Sequence, residues 1–412
     1  MRRFWGRPSG AVSAIPSKSA AHRHMICAAI ARGRSVLRGL PEEAALPEDL
    51  SATLSCIRAM GARAEFRRGA LEITGADSHP GLLRLDCRDS GTTYRLLYPL
   101  APLLSDSVEF ALSPSLMERP MEPVISLLKS KGAAADMLSV RGRFGPGDFP
   151  IQGDVSSQYI SGLLLALTLL GGESRIILTS PLQGRGYVEL TRAALSAFGG
   201  ETHWIGDGAI LVKPGGLKAA EAAIEGDYTH ASLFLAAGAV YGPVTVSGLD
   251  PGSLQGDRAM ADILRRMGAA VDIRGGSVTV SPGELSGIDI DISETPDLAP
   301  AIALAALAAR GRTAVKNGAR LRFKECDRIS AIVTELKALG ADIAERPDGF
   351  EVIGGRALHS AECRCHGDHR IAMLLIMAAG LCGGIGLEGA ECVKKSAPGF
   401  FEEYRRLGGV IK

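Results

Sequence analysis

Aromatic residues are scarce in this chain: Phe, Trp and Tyr together make up 5% of its 412 residues. An interior so poor in rings has to be built from Ala, Leu, Ile and Gly, and 46% hydrophobic residues with 51 glycines supply it. An excess of charge of either sign is also missing. The formal net charge of +1 disfavours bulk binding to nucleic acid or to a membrane surface, so any affinity for anions has to come from local clusters. No apolar run approaches the ~20 residues needed to span a bilayer. The longest, residues 298–309 and 371–382, have twelve each. Met1, Arg2 and Arg3 open the chain with cations, yet the apolar run and small-residue cleavage site of a signal peptide do not follow. Eight cysteines are too dilute for a disulfide framework, and Cys27, Cys87 and Cys382 sit in apolar runs where a small thiol packs well. A reduced, cytoplasmic protein is expected. Cys363, Cys365, His366 and His369 lie close together, but their spacing fits no common zinc pattern and no metal is expected there.

What is present is a repeat. An amphipathic stretch closed by Gly-Ala or Gly-Gly and followed by a strand-like run occurs six times, with its glycine at Gly61, Gly132, Gly199, Gly268, Gly340 and Gly408, 67–72 residues apart. A Gly just past a stretch that ends in Lys or Arg is a helix stop signal. Each unit also holds a second helix, apolar almost all round and led by polar residues: residues 17–33, 90–104, 156–171, 227–242, 297–311 and 368–383. Short runs rich in Val and Ile between the helices, such as residues 175–179, 244–246 and 277–280, read as strands. The unit is therefore βαβαββ, with one helix covered all round and one amphipathic. Three units per domain give an α/β protein of two domains, with a break near residues 213–226. Buried helices running parallel would gather their polar N-termini, whose free N–H groups and dipoles favour anions. Two such ends facing each other would form an anion-lined cleft.

The helix fronts and adjoining loops supply Lys18, Arg23, Arg119, Lys324, Arg328, Arg370 and Lys395 as cations, with Asp297 and Glu325 as carboxylates. Ser19, Ser156, Ser157 and Gln158 add neutral hydrogen-bonding groups. Seven cations for two acids point to small substrates carrying several negative charges, phosphates and a carboxylate among them; Arg suits bidentate contacts and Lys a point contact. The densest motif is residues 321–328. Helical spacing puts Lys324 and Arg328 on one face at i,i+4, and Glu325 beside Arg328 at i,i+3. Standing alone it would be a solvated ion-pair ladder; partly desolvated among cations, its carboxyl gains the setting for general acid or base work. Asp368 reads as the N-cap of the sixth buried helix, His369 as a core histidine, and Arg370 as a cation placed directly before an apolar run. Arg119 begins the helix ending at Gly132, with Pro120 in its first turn. Asp257 and Arg258 read as surface charges. No Ser-His-Asp order, P-loop or GxGxxG after a strand is present.

In their order along the chain these motifs resemble the 5-enolpyruvylshikimate-3-phosphate synthase family of enolpyruvyl transferases. The resemblance runs from Gly10 to Lys395 and is carried by Pro16-Ser-Lys-Ser-Ala-Ala-His-Arg23, Asp89-Ser-Gly-Thr-Thr-Tyr-Arg95, Arg119-Pro-Met121, Ser156-Ser-Gln158, Glu225-Gly-Asp227, Pro296-Asp297, Lys324-Glu-Cys-Asp-Arg328, Asp368-His-Arg370 and Lys395-Ser-Ala-Pro398. It implies a two-domain inside-out α/β barrel of six βαβαββ repeats, three per domain, with buried parallel helices. One domain would comprise residues 1–14 and 226–412 and the other residues 15–225, with the active site in the interdomain cleft. The implied reaction moves the enolpyruvyl group of phosphoenolpyruvate to the 5-hydroxyl of shikimate 3-phosphate and releases phosphate, a step toward chorismate and the aromatic amino acids. It implies no metal, no organic cofactor and a monomer.

By the same resemblance, Lys18, Ser19, Arg23, Ser156, Ser157, Gln158, Asp297 and Lys324 would hold shikimate 3-phosphate. Lys18, Gly91, Arg119, Gln158, Arg328, Arg370 and Lys395 would hold phosphoenolpyruvate. Glu325 is expected to donate a proton and Asp297 to accept that of the 5-hydroxyl, with Lys18 and Lys324 stabilising charge. Four places depart from the family pattern: Gly184 stands where a serine is usual, Arg88-Asp89 replaces Gly-Asn, Arg320 replaces an Asn, and Thr229-His230 replaces Ser-Ser. The rival reading is the related transferase acting on UDP-N-acetylglucosamine. That enzyme usually carries a reactive Cys in the loop before Arg-Pro, and residues 113–119 contain none.

Overall fold

All six repeat-closing glycines adopt positive φ, from 79° at Gly199 to 109° at Gly268, a backbone conformation that Cβ-bearing residues resist. Each follows an amphipathic helix: Glu48–Ala59, Glu122–Ser130, Arg185–Ala197, Met260–Met267, Arg328–Ala338 and Phe400–Arg406. The computed structural model describes residues 1–412 and divides them into two units, Met1–Ile15 with Glu225–Lys412, and Pro16–Ile224. Each unit has its own hydrophobic core. No helix is long and apolar enough to cross a membrane.

The apolar helices run through these cores. In the unit Pro16–Ile224 they are Lys18–Ile30, Gly91–Leu97 and Ser157–Leu167; in the other they are Tyr228–Val240, Ala299–Ala308 and His369–Cys382. Tyr228–Val240 is buried from Tyr228 through Ala239, so it has no polar face to turn outward. Side chains of Ser17, Ser90, Ser156, Asp227 and Asp368 cap five of the six, each accepting a backbone N–H of the first turn. The exception is Ala299–Ala308, which is led in by the 3-10 turn Pro296–Leu298 with no capping side chain, leaving Asp297 available for other partners.

Two helices differ from their expected extents. The second buried helix ends at Leu97 instead of continuing to Leu104, because Pro99 lacks a backbone N–H and Pro102 would clash with the carbonyl of Tyr98; a 3-10 turn, Ala101–Leu103, follows. The helix ending before Gly132 starts at Glu122 with Pro123 in its first turn, so Arg119 and Pro120 lie ahead of it in the loop after the short helix Pro114–Met117.

Each repeat contributes one four-stranded sheet that combines a parallel pair with antiparallel neighbours. In one of them Leu82–Arg88 runs parallel to Ser107–Leu112, which pairs antiparallel with Ser139–Arg141. Burial alternates strictly along Leu82–Arg88, as expected of a sheet with one face on a core. Two sheets of the other unit are completed by the chain's first residues. Arg2–Trp5 lies between Ile385–Glu388 and Val410–Ile411, and Gly10–Ser13 runs parallel to Val244–Ser247.

Close helix contact depends on Gly162. A Cβ there would stand 2.5 Å from the carbonyl oxygen of Arg95, so only Gly lets Ser157–Leu167 approach Gly91–Leu97 this closely. The hydroxyl of Tyr159 donates to the carbonyl of Pro120, fixing the Arg119 loop to the same helix.

Candidate active site

In the unit Pro16–Ile224 the polar groups sit at the fronts of the three buried helices. Lys18 Nζ lies 2.6 Å from Asp49 Oδ2, an ion pair whose side chains are 16% and 8% exposed. Arg23 is buried. Its guanidinium donates to Thr191 Oγ1 at 2.7 Å, the Ser19 carbonyl at 2.7 Å, Ser161 Oγ at 3.3 Å and the Tyr187 carbonyl at 3.1 Å. These four acceptors are neutral, so no carboxylate cancels the charge. Burial lowers this guanidinium to about 10, which leaves it cationic at neutral pH.

Gln158 is fixed from both sides: its Oε1 accepts from Arg95 Nη1 at 3.0 Å and its Nε2 donates to Thr92 Oγ1 at 2.9 Å. Ser156 caps the helix start through Gln158 N, and Ser157 is buried beside it. Gly91 opens its helix at a point where a Cβ would stand 3.1 Å from Arg119 Nη1. Arg119 in turn donates to Asp89 Oδ1 at 3.4 Å and Ser115 Oγ at 3.3 Å, while Ser113 Oγ donates to the same Asp89 oxygen at 2.6 Å. Asp89, one of the departures from the family pattern, thus shields Arg119. A buried hydroxyl chain links these fronts: His22 Nδ1 meets Thr53 Oγ1 at 2.6 Å, Thr53 meets Thr93 Oγ1 at 2.7 Å, and Thr93 meets Ser90 Oγ at 2.7 Å. Burial, reinforced by Lys18 and Arg23, holds His22 well below the usual histidine range, so it is neutral.

The other unit gathers its charges around Arg328, which is 1% exposed and therefore no part of a solvated ladder. Its Nε donates to Asp368 Oδ2, its Nη1 to Asp297 Oδ1 and its Nη2 to Glu325 Oε2, each at 2.8 Å. Lys324 Nζ is 3.3 Å and Arg370 Nε 3.6 Å from that Asp297 oxygen, and Lys395 Nζ is 3.6 Å from Glu325 Oε1. Lys324 and Arg328 do not share a helix face. Asp327 caps a helix beginning at Arg328, Lys324 lies in the preceding turn, and the two meet on Asp297. Burial would raise the Asp297 carboxyl, but Arg370, Lys324 and Arg328 outweigh it and hold it well below the ordinary carboxylate range. Burial lowers Lys324, against the pull of Asp297. For Arg328 burial is overcome by Asp368, Glu325 and Asp297, and its affinity for the proton rises.

This arrangement can bind anions through several cations at once and keeps two carboxylates, Asp297 and Glu325, where a proton can be taken or given. The model of EPSP synthase (3-phosphoshikimate 1-carboxyvinyltransferase) matches residues 5–404. The chain belongs to the EPSP synthase family. The 3-phosphoshikimate 1-carboxyvinyltransferase of Clostridium kluyveri is 36% identical over 98% of this chain and 96% of that protein. That of Methanothrix thermoacetophila is 41% identical, covering 98% and 97%. Among solved structures, EPSP synthase from Acinetobacter baumannii superposes with a TM-score of 0.80 at 26% identity over the whole of both chains. The enolpyruvyl transferase NikO from Streptomyces tendae shares the fold, with a TM-score of 0.79 at 18% identity over 100% of this chain and 98% of its own.

In this EPSP synthase family member the structure also corrects the reading of Asp257. Asp257, expected at the surface, is 2% exposed, and it accepts a hydrogen bond from the Thr229 hydroxyl. Asp49 and Asp368 are further acids that the sequence did not place in the site, whereas Asp89 stands where the departure from Gly-Asn already put an added carboxylate beside Gly91. Asp49 reaches Lys18 from another helix 31 positions away, and Asp368 reaches Arg328 across 40. Arg320, another departure from the family pattern, donates to the Ser293 carbonyl. Cys365 and His366 have local partners: Cys365 Sγ contacts the Gly389 carbonyl at 3.1 Å, and His366 Nε2 meets Glu335 Oε1 at 2.6 Å.

Proposed function

We propose that this chain transfers the enolpyruvyl group of phosphoenolpyruvate to the 5-hydroxyl of shikimate 3-phosphate and releases phosphate. The observation that carries the reading is the array in which Arg328 joins Asp297, Glu325 and Asp368 while Lys324, Arg370 and Lys395 stand beside the first two. Each substrate brings a carboxylate and a phosphate. Gly91, Arg119, Gln158, Arg328, Arg370 and Lys395 receive phosphoenolpyruvate. Ser19, Arg23, Ser156, Ser157, Gln158, Asp297 and Lys324 receive shikimate 3-phosphate, and Lys18 touches both.

A proton added to the methylene carbon of phosphoenolpyruvate leaves positive charge at C2, which the 5-hydroxyl attacks to form a new C–O bond. Glu325 delivers that proton. Asp297 accepts the hydroxyl proton, although in the free protein its cations make it a poor base. Once substrate anions draw Arg370 and Lys324 toward themselves, Asp297 regains proton affinity at the step that needs it. The resulting tetrahedral intermediate loses phosphate, which carries off the proton held by Asp297, while Glu325 removes a methyl proton and the carbon–carbon double bond re-forms as the enol ether of the product. Lys18 and Lys324 stabilise the negative charge that develops. The protein acts as a single chain in the cytoplasm, where its eight free cysteines stay reduced.

Phosphate release from phosphoenolpyruvate is the test. It is expected with shikimate 3-phosphate and absent with UDP-N-acetylglucosamine, and the opposite result overturns the reading. Asp297→Asn and Glu325→Gln are each expected to lower kcat by roughly 10²- to 10⁴-fold, the usual worth of a positioned acid or base; near-normal turnover in a folded variant removes that residue from its role.

A further inference from the structure

The helix Arg328–Ala338 carries a second buried acid, Glu335, two turns along from Arg328 on the same face. Its carboxyl is held by the segment that leads to Asp368. Oε2 accepts the backbone N–H of Arg364 at 2.9 Å, and Oε1 meets His366 Nε2 at 2.6 Å. The segment is tight: Asp368 N donates to the Cys365 carbonyl at 2.8 Å, and Asp368 Oδ2 accepts from Arg328 Nε at 2.8 Å. Helix and segment are thus joined at two places, by Arg328 with Asp368 and by Glu335 with Arg364 and His366. Between them His366 sits at φ 53°, a left-handed conformation that a residue with a Cβ adopts at a cost. The reaction steps make no use of Glu335. A carboxylate only 6% exposed is nevertheless unfavourable unless its oxygens are satisfied, and this one segment satisfies both.

We propose that Glu335 is a positioning residue of the phosphoenolpyruvate site: it clasps residues 364–366 and thereby holds Asp368 on Arg328, and Asp368 in turn sets the plane of the Arg328 guanidinium. The proposal rests on the reading of Arg328 as a ligand of phosphoenolpyruvate. A guanidinium is a planar fork, so fixing Nε fixes the directions of its other N–H groups. With Nε committed to Asp368, Nη1 and Nη2 are turned to Asp297 and Glu325, the carboxylates beside which Lys324, Arg370 and Lys395 stand. An anion that takes over those two donors meets them at the angle Asp368 has set. Asp368 Oδ1 also caps the helix His369–Cys382 by accepting the Arg370 N–H at 2.8 Å. A shift of the segment therefore moves a second cation of the site along with the first.

The experiment measures kcat and both KM values by phosphate release, with melting temperatures on the same samples, for the natural chain, Glu335→Ala, Glu335→Gln and His366→Gly. Glu335→Ala frees the segment at both points and is expected to raise KM for phosphoenolpyruvate by roughly 10- to 100-fold, the scale on which a misplaced binding group acts. KM for shikimate 3-phosphate should stay within about twofold, since a split between the two constants marks a change at one substrate. Glu335→Gln keeps an acceptor for Arg364 N and a polar group for His366, and should recover most of the affinity. In His366→Gly the left-handed backbone is adopted without strain, so the melting temperature should change little while KM for phosphoenolpyruvate still rises. Glu335→Ala is also made in an Asp368→Asn background, where its effect should shrink to within about twofold if it acts through Asp368. Full additivity of the two changes, an equal rise in both KM values, or an unmoved KM for phosphoenolpyruvate in Glu335→Ala overturns the proposal. Where Glu335→Ala does not fold, an unmoved KM in His366→Gly overturns it equally. Arg328→Lys tests the reading beneath it. An unchanged KM for phosphoenolpyruvate there removes Arg328 from the ligand set, whereas a large rise beside an unaltered Glu335→Ala removes only the role of Glu335.

Discussion

Asp89 shows how one carboxylate can reset a binding group. It stands 3.4 Å from Arg119 and also accepts from Ser113, so an incoming anion has to compete for a guanidinium already in use. Replacing Asp89 with Asn keeps an acceptor for Ser113 and removes the competing charge. Because Asp89 is 36% exposed, solvent screens the pair and its worth is below about 1 kcal/mol. KM for phosphoenolpyruvate in Asp89→Asn is expected to fall by up to about fivefold with kcat little changed, as measured by steady-state kinetics; a rise in KM would show that Asp89 helps to hold the ligand. The cations were legible in the sequence because each sits beside an apolar run or in a dense polar motif. Asp297 and Glu325 were legible in the same way, but two other acidic partners were not. Asp49 and Asp368 meet Lys18 and Arg328 only through the fold, and a carboxylate beside a helix start looks the same in sequence whether it is solvated or buried.

Helix starts and stops were marked by local chemistry, Ser or Asp at the fronts and Gly after the ends, and those signals survive folding. Interruptions were harder to read: apolar continuity through residues 97–104 masked what Pro99 and Pro102 do to a helix, and Lys324 and Arg328 fell on opposite sides of a helix start. Close packing left still less trace, since Gly162 looks like any helical glycine until the Arg95 carbonyl is found 2.5 Å from where its Cβ would be. Gly162→Ala is expected to cost about 1–3 kcal/mol by forcing backbone apart, and to raise KM for phosphoenolpyruvate by displacing Arg95 from Gln158. Gly171→Ala, where nothing lies within 4 Å of the new Cβ, is the control and should leave both melting temperature and KM unaltered. Equal effects at the two positions would rule out the contact as the cause.

For the whole molecule, the repeat period was the strongest signal, because six copies of one helix stop fix the number of supersecondary units and with it the fold class. Which strands complete which sheet was not visible in that period. The first residues pair with segments more than two hundred positions away, with Gly10–Ser13 on Val244–Ser247 and Arg2–Trp5 on Ile385–Glu388. Deleting residues 1–13 should therefore speed amide hydrogen exchange at 244–247 and 385–388 while leaving protection along Leu82–Arg88 and Ser107–Leu112 unaltered. Uniform loss of protection over the chain would mean that the two cores do not hold their sheets separately.

The three carboxylates around Arg328 also make the resting site an ion exchanger instead of an empty anion trap. An anion that approaches Arg328 competes with carboxylates already in place, so a single negative charge gains little by entering. A ligand with two or more anionic groups can take over several cations together, and the exchange then runs in its favour. Chloride and small monoanions are therefore expected to compete poorly with a polyvalent ligand, since Arg328 already offers Asp368, Asp297 and Glu325 one N–H direction each at the same 2.8 Å.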